Sequence, residues 1–68
     1  MAKRTHRLTP REREIVKLIT KGFNNAQIAT RLGSSPKTIE AHRSNVYRKL
    51  GIGKAALLVR WAIEEGIA

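Results

Sequence analysis

The chain has 68 residues, enough for one small domain, and its fourteen Lys and Arg against five Asp and Glu give a net charge of +9. With no Cys, and with His6 and His42 far apart in sequence, there is no basis for a disulfide staple or a metal-bound finger. The apolar runs are too short to cross a membrane, and Met1-Ala2-Lys3-Arg4 is not followed by the apolar core of a secretory signal. The charge is also uneven: residues 1–49 hold twelve basic and three acidic side chains, and residues 50–68 hold two of each. Such a basic density in so small a domain points to a polyanion as partner. A cytoplasmic location follows, with nucleoid association when the polyanion is DNA.

Residues 1–7 (MAKRTHR) read as a basic, flexible arm ahead of a domain over residues 8–68. The remainder parses as all-α, in four helices. Helix one is expected over Pro10–Lys21. Thr9 is its N-cap, Pro10 occupies the first position and Glu12 closes a capping box. Ile15, Val16, Leu18 and Ile19 form its buried stripe, and Gly22 ends it. Helix two spans Asn25–Leu32, with Asn24 as N-cap, Gln27 at the third position, and Ile28, Ala29 and Leu32 facing inward. After the turn Gly33-Ser34, helix three starts from Ser35 as N-cap and Pro36, and runs to Leu50 before Gly51. Helix four is expected over Lys54–Glu65, weakly capped by Gly53 and stopped by Gly66. Ala55, Leu58, Val59, Ala62 and Ile63 can pack on the core.

Helices two and three, joined by a short turn containing Gly, fit a helix-turn-helix. Ala29 falls where the helices cross and only a small side chain fits, Gly33 falls in the turn, and Ile39 points back into the core. On a helical wheel Ile39, Val46 and Leu50 lie within about 40° of one another and form the core face of helix three. The opposite face carries Lys37, Ala41, Ser44 and Arg48, flanked by Glu40 and Asn45. It is polar and short in side chain near its middle, so it can approach base edges closely. Thr38, His42 and Lys49 on one flank, and Arg43 and Tyr47 on the other, would meet the phosphate walls of a groove. His42 borders the core face, so a hydrogen bond inside the domain is open to it as well. No broad apolar face is left for a membrane surface. No nucleophile stands in a recognisable pattern with a His and a carboxylate, and no Gly-rich phosphate loop occurs. No catalytic function, cofactor or metal is expected.

In helix four, Leu57 and Trp61 form an i, i+4 pair displaced from the core positions. The pair reads as a partner surface, with dimerisation through the neutral end while the basic ends face DNA. The other reading has Trp61 packing on helix one of its own domain.

Leu8-Thr9-Pro10-Arg11-Glu12, Gly22, Asn25, Ile28-Ala29, Leu32, Ser35, Thr38-Ile39, His42, Asn45-Val46, Lys49-Leu50-Gly51 and Leu58-Val59…Ala62…Gly66 together resemble the LuxR-type (LuxR/FixJ/NarL/GerE) helix-turn-helix domain. The resemblance covers residues 8–67. It implies a four-helix domain of a bacterial transcription regulator, such as the output domain of a response regulator. Its third helix would enter the major groove and its fourth would dimerise. It also implies base contacts from Glu40, Ala41 and Ser44, and phosphate contacts from Thr38, His42 and Lys49. Three positions depart from the family pattern. Ser34 stands where an Ile or Val anchors the turn, Ala55 where a basic residue is common, and Leu57 where a polar residue is usual.

The resulting expectation is sequence-specific binding of double-stranded DNA by a homodimer. Lys37, Glu40, Ala41, Ser44 and Arg48 would face bases, Thr38, His42, Arg43 and Lys49 would face phosphates, and Leu57 and Trp61 would lie in the dimer contact. Two alternatives stand beside it. The chain also resembles region four of a sigma factor, which contacts RNA polymerase, although helix four continues past that module. A helical adaptor binding proteins through Leu57 and Trp61 is the other.

Overall fold

The computed structural model describes residues 8–67; the basic arm of residues 1–7 lies outside them. Four helices follow in order: α1 (Pro10–Thr20), α2 (Asn25–Leu32), α3 (Pro36–Leu50) and α4 (Ala55–Glu64). No strand occurs among the described residues. The first three helices start where their caps dictate. Thr9 Oγ1 accepts the Glu12 N–H at 3.1 Å, and Glu12 Oε1 accepts the Thr9 N–H at 2.9 Å. Asn24 and Gln27 repeat this reciprocal box at 2.9 Å in both directions. Two N–H groups that no helical carbonyl can reach are satisfied at each start. α4 differs: its N-cap is Lys54, not Gly53, and no side chain caps it.

The turn between α2 and α3 depends on Gly33, at φ +66°. With this residue in the left-handed region, the Ser34 N–H returns to the Ala29 carbonyl at 2.8 Å and closes the end of α2. The chain then reverses in two residues to Ser35, which caps α3.

α3 packs across both α1 and α2, and α4 returns to lie on α1. Ile15, Val16, Ile28, Ile39, Val46 and Leu58 are the largest side chains removed completely from solvent. Leu8, Ile19, Ala29, Leu50, Trp61 and Ala62 complete the core. Leu18 and Leu32, expected in the buried stripes, lie half-buried at its margin. α4 is rotated from the expected register. Leu58, Trp61 and Ala62 point inward, whereas Ala55 is exposed and Ile63 is 63% exposed. The bulkiest side chain of α4 takes the interior, and Ile63 is carried to the opposite side.

Candidate nucleic-acid interface

α3 is fixed at its start, middle and end. At the start, Ser35 Oγ accepts the Thr38 N–H at 3.1 Å, and its hydroxyl donates to Thr38 Oγ1 at 2.9 Å. In the middle, Arg43 reaches across to α2: Nη1 donates to Asn25 Oδ1 at 2.9 Å and Nη2 donates to the Tyr47 hydroxyl at 3.1 Å. At the end, Lys49 Nζ donates to Glu12 Oε1 at 2.7 Å, tying the last turn of α3 to the first turn of α1. The Glu12 carboxylate is buried at 3% exposure. Burial alone would raise its pKa. The Lys49 hydrogen bond, the Thr9 N–H and the charges of Lys49 and His42 outweigh that cost and hold it below the ordinary value.

These contacts give two of the expected phosphate residues a second role. Arg43 and Lys49 were assigned to phosphate, and their charged groups also bond inside the domain, where they help to set the position of α3. The reason is geometric. Both flank the buried stripe of α3, so they emerge beside α2 and α1 and stay half-buried there.

The outward face of α3 is a different surface. Lys37, Glu40, Ala41, Ser44 and Arg48 are all exposed. Arg48 Nη1 donates to Asn45 Oδ1 at 3.2 Å, on the border of the same face. Two cations and one carboxylate surround a centre of small side chains, so a polyanion with hydrogen-bonding groups in a groove could approach the backbone closely. Thr38 is exposed and His42 is half-buried on the adjoining flank. Among the described residues, the His42 side chain makes no hydrogen bond, so the alternative of an internal bond gains no support.

On α4 the expected exposed pair is not formed. Trp61 is 7% exposed and belongs to the core, as the second of its two readings had it, whereas Leu57 is 43% exposed. The adaptor alternative loses its anchor with it. The large apolar side chains that α4 presents to solvent are Leu57 and Ile63. Arg60 and Glu64 lie between them in an exposed ion pair at 3.4 Å.

Two residues were missed as partners. Asn25 receives Arg43 across from α2, and Phe23 lies under the Arg31 guanidinium, 4.1 Å from its ring centroid; the Arg43 bond to Tyr47 lies within α3, on the flank they were expected to share. No local pattern marks partners eighteen residues apart, such as Asn25 and Arg43. Glu12 was read only as a cap, and its second role depends on where α3 ends in space.

Comparison with known proteins agrees with this architecture. The family described as "Bacterial regulatory proteins, luxR family" matches residues 6–62. The transcriptional regulatory protein MctR of Rhizobium johnstonii is 50% identical over 60 residues, covering 88% of this chain and 28% of that protein. The oxygen regulatory protein NreC of Staphylococcus aureus is 43% identical over 58 residues, covering 85% and 27%. The tetrathionate response regulatory protein TtrR of Salmonella typhimurium is 43% identical over 53 residues, covering 78% and 26%. The chain thus spans less than a third of the length of these relatives. With two capped helices crossing at Ala29, the turn at Gly33 and a third helix held with its polar face outward, the chain belongs to the luxR family of bacterial regulatory proteins, as a helix-turn-helix DNA-binding domain of transcription regulation.

Proposed function

We propose that the domain binds double-stranded DNA sequence-specifically, with α3 in the major groove, and that two copies bind together through α4. The observation that carries this reading is the outward face of α3. Its exposed Lys37, Glu40, Ala41, Ser44 and Arg48 surround a centre of short side chains, and the opposite face is locked into the core. Lys37 and Arg48 suit the acceptor edge of guanine, Ser44 either a donor or an acceptor, and Glu40 the amino group of cytosine. Thr38 and His42 take phosphate on the adjoining flank. The names of the relatives, a transcriptional regulatory protein, a tetrathionate response regulatory protein and an oxygen regulatory protein, fit a domain that delivers the output of a longer regulatory protein.

Exposed Leu57 and Ile63 supply the apolar part of a contact between two copies. Residues 50–68 carry no net charge, so that end can meet its like while the basic part faces DNA. Two α3 helices related in this way read half-sites about one helical turn apart.

Selection of bound duplexes from a random pool, followed by a salt titration, tests the proposal. A paired-half-site consensus should emerge, and log K should fall by about 0.9 per contacted phosphate per decade of salt. Lys37→Gln with Arg48→Gln should lower affinity for the selected site about 100-fold, through two lost contacts of the usual size. Affinity independent of salt, or indifferent to both substitutions, would refute the reading.

A further inference from the structure

A second charged surface lies away from α3. Glu14, Lys17 and Leu18 of α1 and Lys21 just past its end, with Arg31 and Leu32 of α2, line an open groove of about 300 Å³. Its floor is apolar, because Leu18 and Leu32 are half-buried there. Its rim is cationic. Lys17 and Lys21 are exposed and have no ion-pair partner among the described residues, and Arg31 stands over the Phe23 ring. The one carboxylate on the rim, Glu14, is paired with Arg11 at 3.4 Å.

We propose that this groove docks an acidic amphipathic helix of another protein, with leucine-like side chains on Leu18 and Leu32 and carboxylates toward Lys17, Lys21 and Arg31. Charge and floor together select that occupant. A second copy of this chain cannot supply the acid: of its five carboxylates Glu12 is buried, Glu14 and Glu64 are paired with arginines, and only Glu40 and Glu65 remain. A phosphate backbone would meet the cations but gain nothing from an apolar floor, and no residue of α3 lines the groove. The inference is independent of the DNA-binding reading, since the two surfaces share no residue.

The test uses the 68-residue chain, isotope-labelled for NMR, and a synthetic peptide of about sixteen residues, long enough to hold a helix. The peptide carries two Leu at i, i+4 spacing flanked by Glu; a second peptide replaces both Leu with Ser. The expected result is amide shifts confined to the C-terminal half of α1 and to α2. Binding should weaken about tenfold for the Ser peptide, through lost apolar burial. It should weaken about tenfold again for Lys17→Gln with Lys21→Gln, through two lost charge pairs. That variant should keep its melting temperature and its DNA affinity. Equal binding of the Ser peptide, shifts centred on α3, or no shift at all would overturn the proposal. So would a loss of DNA affinity in the lysine variant matching that of Lys37→Gln, which would make the groove a phosphate contact. The peptide pair measured on the unaltered chain keeps the test valid if the lysine variant folds poorly.

Discussion

Glu12 Oε1 receives the Thr9 N–H at 2.9 Å and the Lys49 ammonium at 2.7 Å on a single buried oxygen. Replacing the carboxylate by an amide therefore removes the interhelical ion pair with Lys49, while the amide oxygen can still accept the Thr9 N–H, as Gln27 does for Asn24. Glu12→Gln should cost about 1–3 kcal/mol at neutral pH, measured by urea unfolding. The pH dependence has a definite sign. The folded pKa lies below the ordinary 4.5, so the stabilisation is complete above that value and disappears as the pH falls through the folded value. The acid limb of the stability curve should flatten in Glu12→Gln, and an unchanged limb would show that the carboxylate is not the titrating group. Among the described residues the Trp61 indole N–H has no hydrogen-bond partner, so burial is what holds the side chain. Trp61→Phe should therefore be tolerated, whereas Trp61→Ala should cost about 3–5 kcal/mol, read from the same unfolding curves.

At the scale of elements, the angle between α2 and α3 rests on the packing of Ala29 and Ile39 and on the bridge from Arg43 to Asn25 and Tyr47. A double-mutant cycle of Asn25→Ala with Arg43→Ala should give a coupling of about 1 kcal/mol, as for residues sharing a hydrogen bond. DNA affinity should fall in both single variants even though neither residue is assigned to a base. The turn makes its own demand. A methyl group added at Gly33 would meet nothing within 4 Å, so Gly33→Ala carries only the conformational cost of φ +66°. That cost is about 1 kcal/mol in thermal or chemical unfolding, and Asn at the same position should cost less.

Across the whole molecule, the net positive charge lies in residues 1–49 and residues 50–68 carry none. A domain of this size buries only about 60% of its unfolded surface, so its interior cannot forgo its one Trp. This explains why the indole is drawn inward and why Leu57 and Ile63 are the large apolar side chains that α4 leaves exposed. Leu57→Asp with Ile63→Asp should leave the melting temperature within about 2 °C, as exposed substitutions do. The same variant should abolish cooperative occupancy of paired half-sites while single half-sites stay occupied. Gel-shift titration on one and two half-sites distinguishes these outcomes, and retained cooperativity would remove α4 from the dimer contact.

Much of this was legible in the amino-acid sequence because it is local. Thr9 with Glu12 and Asn24 with Gln27 start helices through contacts three residues apart, Ser35 caps α3 ahead of Pro36, and Gly22, Gly33 and Gly51 end them. The periodicity of Ile39, Val46 and Leu50 defined which side of α3 is free, so the exposed set Lys37, Glu40, Ala41, Ser44 and Arg48 could be named in advance. The flanks could not be assigned that way. A wheel reports the direction of a side chain but not the helix that comes to stand beside it, so Arg43 and Lys49 looked like free cations. Only the tertiary structure gave them Asn25 and Glu12 as partners. α4 shows the same limit. Its residues are apolar on most sides, so periodicity alone left its rotation open, and the space over α1 decided that Trp61 faces in and Ile63 faces out. Local spacing determined the helices and the exposed face of α3; packing between distant segments determined which charges are tied within the domain.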